Sequence, residues 1–165
     1  MKTYCINNRE VKGRNMYGYD AQLSIQLAKN HSDLFEMRAC YNNVYNMVTH
    51  HLEELTPWDK LRILFCYRKG NGEQYYRHAF CLFDGKLVEP LLYLDMSDYN
   101  RRSIVPIREM TVSEYLDLLC KEAETQLRTV LREDDLSAIR KHKLKINPYD
   151  YSKLMQSTNQ GRNER

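Results

Sequence analysis

Asp84-Gly85, set between two apolar runs in RHAFCLFDGKLVEP, constrains this chain more than any other feature. Two residues that tolerate positive φ, flanked by strand-forming segments, specify a β-hairpin with a type I′ turn. A two-residue turn also fixes register: Phe83 faces Lys86, Leu82 faces Leu87, Phe80 faces Glu89 and His78 faces Leu91. Side chains alternate along a strand, so His78, Phe80 and Leu82 share a face with Leu87, Glu89 and Leu91. His78 and Glu89 are then diagonal neighbours at roughly 7 Å, within reach of a carboxylate–imidazole contact. The other side chains of that face are apolar, and in such partly desolvated surroundings a carboxylate holds one imidazole tautomer and favours the imidazolium.

The elements around the hairpin follow from periodicity. Leu61 to Arg68 (LRILFCYR) reads as a buried strand, and Tyr75 to Phe83 and Lys86 to Leu94 as the two arms of the hairpin. A further strand is expected over Ser103 to Arg108, at a sheet edge because of Pro106, and a short edge strand over Thr3 to Asn7. Asp20 caps a helix over Ala21 to Asn30, and Ser32 or Asp33 restarts a short helical stretch. From Cys40 to Leu55, Tyr41, Val44, Tyr45, Val48, Leu52 and Leu55 form one apolar stripe, ended by Thr56-Pro57. Thr111 and Glu114 make a capping box ahead of an apolar face running from Val112 to Leu131, and last helical turns run from Asp134 or Asp135 through His142. This order predicts a single α+β domain over residues 1–145, with N-terminal helices packed on a small antiparallel sheet and a C-terminal helix. Residues 146–165, which carry part of a late basic excess, are expected as a flexible tail.

Composition removes several function classes. A chain of 165 residues suits one core, and its 42% hydrophobic and 28% charged residues fit neither a disordered nor a membrane-embedded protein. No apolar run approaches the ~20 residues that a bilayer-spanning helix needs. The start, MKTYCINNREVKGRN, lacks the apolar core of a secretory signal, so a cytoplasmic location is expected. Five scattered cysteines without a Cys-x-x-Cys pair fit a reducing compartment and indicate neither a disulfide framework nor a structural zinc site. His50-His51 with Glu53 and Glu54 does not imply a metal site either, because adjacent helical residues point about 100° apart. No cofactor is implied, no membrane partner is expected, and a net charge of +3 is too small to point to nucleic acid.

Cys40 completes a chemical constellation. At a helix N-terminus, unpaired backbone N–H groups and the dipole favour thiolate, although a free cysteine is commonly a small buried hydrophobe. A thiol nucleophile further needs a base and a group to orient it, the roles open to His78 and Glu89. Candidate oxyanion donors are the Cys40 backbone N–H with the amides of Asn42, Asn43, Gln22 or Gln26. Tyrosine is frequent, at 13 residues, and Tyr41, Trp58, Tyr75, Tyr76 and Tyr93 are candidates for a cleft rim.

The string HAFCLFDGKLVEP resembles the motif of papain-like and transglutaminase-like proteins, in which a His-Ala-aromatic strand, an Asp-Gly type of turn and an acid followed by Pro come in that order. CYNN at Cys40 looks like their Cys-aromatic-x-Asn segment opening the nucleophile helix. The resemblance covers about Cys40 to Pro90. It implies a papain-like fold, with Cys40 as nucleophile, His78 as general base and acid, and Glu89 as orienting acid. The implied activity is that of a thiol hydrolase or acyltransferase acting on a peptide or protein amide: a peptidase, amidase, deamidase or transglutaminase-like enzyme. Phe80 stands where tryptophan is frequent in these families, and Glu89 where Asp is commoner, lengthening the orienting arm by one methylene. The alternatives are a catalytically inactive binding or structural protein of the same fold and, further off, an accessory domain for RNA or DNA.

Overall fold

In a computed structural model, the described residues are 3–6, 9–12, 17–70, 72–91, 96–121 and 132–156. The strands are β1 (Thr3–Ile6), β2 (Arg9–Lys12), β3 (Gly18–Tyr19), β4 (Leu61–Lys69), β5 (Tyr75–Phe83), β6 (Lys86–Val88) and β7 (Val105–Thr111). The helices are α1 (Ala21–Asn30), α2 (Cys40–Thr49), α3 (Asp98–Arg102), α4 (Val112–Lys121), α5 (Arg132–His142) and α6 (Pro148–Gln156). The fold is mixed α+β, built on a five-stranded, mostly antiparallel sheet of order β3-β6-β5-β4-β7. β1 and β2 pair separately as an antiparallel ribbon.

The near-continuous apolar runs of β4 and β5 require cover on both faces, and the fold supplies it. On one face, Ile63, Phe65, Ala79, Cys81 and Val88 join the helical side chains Leu27, Val44, Met47, Val48 and Tyr115 in the main core. Leu64, Cys66, Phe80, Leu82 and Leu87 form a second cluster against Tyr17, Tyr19, Met96 and Ile104. A third, at one end of the sheet, gathers Tyr67, Tyr75, Val105 and Leu144.

The hairpin has the expected register where it is paired, with Phe83 opposite Lys86, Leu82 opposite Leu87 and Cys81 opposite Val88; the ladder ends there, so the expected pairs Phe80–Glu89 and His78–Leu91 are not part of it. Asp84 and Gly85 both take positive φ, 50° and 77°, as a type I′ turn requires. The Thr111–Glu114 box is reciprocal: Thr111 N–H donates to Glu114 Oε2 at 3.0 Å and Glu114 N–H to Thr111 Oγ1 at 3.1 Å. Asp20 caps α1 by accepting from Leu23 N–H at 3.0 Å. Pro106 lies in the edge strand β7.

Four expectations need correction. The helix that starts at Cys40 ends at Thr49, not Leu55. His51, at φ 50°, takes the left-handed conformation, and Glu53–Leu55 is a separate 3-10 turn that still buries Leu52 and Leu55. β6, expected to run to Leu94, stops at Val88, because the Glu89 N–H leaves the ladder for Ser24 Oγ and Pro90 has no N–H to give; positions 92–95 of that expectation lie outside the described residues. The strand expected over Ser103 to Arg108 runs from Val105 to Thr111, directly into α4. The tail expected from residue 146 is instead bridged to β5 through Ile146 and Tyr75, and is helical over Pro148–Gln156 with Leu154 fully buried. The second half of the apolar face expected to reach Leu131 lies outside the described residues. No helix among the described residues is long and apolar enough to cross a membrane.

Candidate functional site

α2 begins at Cys40 without a side-chain cap on its first turn, so the N–H groups there remain available to a neighbouring anion. The helix packs against β5, which carries His78. Just past the end of β6, beyond the paired register, the chain delivers Glu89, and His78 Nε2 lies 3.7 Å from Glu89 Oε2. That is an ion-pair distance just beyond a hydrogen bond. Both side chains are 7% exposed, and the His78 ring leans on Phe80 with centroids 4.4 Å apart. Cys40 is half-buried, so of the three it is the one open to a reactant.

The electrostatics of Cys40 and His78 are mutual. Burial pushes the Cys40 thiol up, but the facing His78 ring, by hydrogen bonding and charge, outweighs it with help from the backbone N–H groups of Ala79 and Tyr41, and the thiol is held below its ordinary range. Burial likewise pulls His78 down, but the interaction with Cys40 and the charge of Glu89 outweigh it and raise the imidazole. Cys66 and Cys81 behave oppositely: burial pushes both thiols far up, and Cys66 is occupied in donating to the His78 carbonyl at 3.5 Å. The same residue type is therefore an inert hydrophobe at two positions and an acidified thiol at one.

Glu89 is fixed by contacts that the linear sequence conceals. Its N–H donates to Ser24 Oγ at 3.0 Å, and its Oε1 accepts from Leu91 N–H at 3.1 Å. Ser24, fully buried in α1, donates in turn to the Asp20 carbonyl at 2.7 Å, while Asp20 N–H donates to Leu87 O at 3.0 Å. The start of α1 is thereby stitched to the acid-bearing segment. Ser24 had no periodic or motif signal; only its small polar side chain at a buried helical position distinguishes it.

Several other candidates are reassigned. Asn43 is buried with its amide committed at both ends: Oδ1 accepts Glu36 N–H at 3.0 Å and Nδ2 donates to Glu36 O at 2.9 Å, which removes it as an oxyanion donor. Asn42 is exposed at the start of α2, and Gln22 and Gln26 are exposed on α1. The Tyr41 and Ala79 backbone N–H groups contribute to holding the Cys40 thiol below its ordinary range. Tyr75 is 1% exposed and belongs to a core, not a rim. Tyr41 is likewise packing: its ring stacks on Phe65 at 5.4 Å and its hydroxyl is buried. Trp58 is half-buried and stacks on His51 at 4.6 Å. Tyr76 is exposed and covers Gly70, where an added Cβ would meet the ring at 2.5 Å. Tyr93 lies outside the described residues. Among the described residues, no group of three or more His, Cys, Asp or Glu side chains could hold a metal ion.

No protein-family model matches the chain, and neither the curated proteins nor the solved structures searched contain a match.

Proposed function

We propose that this protein is a papain-like thiol hydrolase or acyltransferase acting on an amide bond, with Cys40 as nucleophile, His78 as general base and acid, and Glu89 as the acid that orients His78. The observation carrying this reading is the geometry: Cys40 opens α2, α2 packs on the strand that bears His78, and a buried carboxylate stands 3.7 Å from the His78 ring; the directions of the thiol and imidazole shifts agree with it. A helix-borne thiol, a strand-borne imidazole and an acid on the returning arm also have the chain order of the resemblance that begins at Cys40.

With Nε2 turned toward Glu89, Nδ1 is the nitrogen free to exchange a proton with the thiol. In the reaction we infer, the proton of Cys40 passes to His78 and the sulfur adds to the carbonyl carbon. The carbonyl π pair moves onto oxygen, which the N–H groups at the α2 start are suited to stabilise. Collapse expels the amine with the proton returned from His78, leaving a thioester on Cys40. Water, giving a proton to His78 as it attacks, releases an acid; an amine gives a new amide instead.

The test is acylation by p-nitrophenyl acetate followed by peptide mass mapping. A burst of nitrophenol with the acetyl group on Cys40, absent in His78→Ala, is the expected result. Acetyl spread over the cysteines in proportion to their exposure would leave the binding or structural alternative.

A further inference from the structure

We propose that Arg77 and Asp135 form a buried positioning pair that, through the Tyr41 ring, holds the start of α2 and its Cys40 against β5. This rests on the reading of Cys40 and His78 as a reactive pair, and adds residues that touch neither the sulfur nor the imidazole.

Arg77 and Asp135 lie 58 positions apart, yet Arg77 Nη2 donates to Asp135 Oδ2 at 2.9 Å. Their side chains are 3% and 0% exposed. Tyr67 O–H donates to the other carboxylate oxygen at 2.8 Å, and the Arg77 backbone N–H donates to Asp150 Oδ2 at 3.2 Å. Two helices of the C-terminal segment, α5 and α6, thus grip β5 at the residue just before His78.

The other side of the guanidinium meets the nucleophile helix. Its central carbon stands 6.0 Å from the centroid of Tyr41, the residue after Cys40, and that ring is stacked on Phe65 of the sheet. The chain Asp135–Arg77–Tyr41 therefore joins α5, β5 and the first turn of α2. It ends one residue from each member of the proposed thiol–imidazole pair.

Stability alone is a poor explanation for this arrangement. Arg77 Nε and Nη1 and the Tyr41 hydroxyl are buried without a hydrogen-bond partner among the described residues. Burial raises the Asp135 carboxyl even against the pull of Arg77 and Tyr67. A buried pair with unsatisfied donors is commonly no more stabilising than apolar residues of similar volume. What a charged, planar group supplies here is direction: one edge toward a carboxylate, one face toward a ring.

The experiment is the rate of Cys40 alkylation by iodoacetamide against pH in the full chain, read by peptide mass with exposed Cys120 as internal control. The double variant Arg77→Met/Asp135→Leu removes both charges together, so no orphaned charge is left to unfold the protein. We expect a cooperative unfolding transition to persist, the Cys120 profile to stay in place, and the Cys40 profile to move to higher pH, with its rate at pH 6 down about tenfold, the equivalent of one pKa unit. A folded double variant with the wild-type Cys40 profile would overturn the proposal. Should it fail to fold, Arg77→Lys decides: it keeps a charge for Asp135 but not the planar face for Tyr41, and an unmoved profile overturns the proposal equally. The underlying reading fails separately, and takes this one with it, if wild-type Cys40 already titrates like Cys120.

Discussion

Glu89→Gln replaces the carboxylate 3.7 Å from His78 Nε2 by a neutral amide of nearly the same shape, and both side chains are 7% exposed, so water screens the contact little. At an effective dielectric of about 20, unit charges at this separation attract by about 4 kcal/mol, a ceiling before desolvation is counted. The net coupling of a close buried charge pair is about 2 kcal/mol, a factor of roughly 30 in an equilibrium, and its loss lowers His78. The sign follows from the native shifts. The thiolate–imidazolium pair exists above the lowered Cys40 value and below the raised His78 value. Lowering His78 closes that window from the alkaline side, and weakening the imidazolium lets the Cys40 thiol rise, closing it from the acid side. Cys40 alkylation at pH 6 should therefore fall about 10- to 30-fold, up to the factor that coupling represents. Well above the ordinary thiol value of 9.0 both proteins carry thiolate and should react alike. Linkage gives a second readout: His78 is raised in the folded state, so its stabilising contribution is complete below about 6.5, its ordinary value, and is lost as pH rises through the folded value. Urea midpoints of wild type and variant should converge as pH rises through that range. A Glu89→Gln protein with the wild-type alkylation profile would refute the role given to the carboxylate.

Three structural predictions accompany it. Leu55→Ala empties a fully buried core position and should cost about 2–5 kcal/mol in urea unfolding, with an unchanged dependence on denaturant. Thr111→Ala removes one half of the reciprocal cap of α4 and should cost about 1 kcal/mol, also by urea unfolding. Ser24→Ala strips the buried Glu89 N–H of its acceptor and should cost about 1–3 kcal/mol; thermal denaturation beside an exposed control such as Ser113→Ala measures it.

The hairpin was legible because its information is local. Asp84-Gly85 dictates the turn and the turn dictates register as far as Cys81–Val88; Glu89, one residue past the ladder, reaches His78 with Ser24 and the Leu91 N–H completing its placement. The capping box at Thr111 and the Asp20 cap are legible for the same reason. Tertiary facts were hidden in proportion to their sequence separation. Nothing near Asp135 announces that its carboxylate will meet Arg77, and nothing near Ser24 announces Glu89. The helical stripe from Cys40 to Leu55 had the right spacing, but spacing does not reveal that His51 turns left-handed and that Leu52 and Leu55 reach the core from a separate turn. The C-terminal segment is harder to read because its polar, basic composition suggests solvation, whereas Leu144, Ile146 and Leu154 suffice to dock it. Tyr41 and Tyr75 carry the same ambiguity: a tyrosine that could line a cleft can equally bury its ring, and only packing decides.

Acidification of Cys40 by His78 is read from the alkylation rates of Cys40 and of exposed Cys120 at pH 6, in wild type and in His78→Ala, by peptide mass. Half-buried Cys40 should react faster than exposed Cys120 in the wild type and lose that advantage when the imidazole is removed. A Cys40 no faster than Cys120, or one indifferent to His78→Ala in a folded protein, would contradict it.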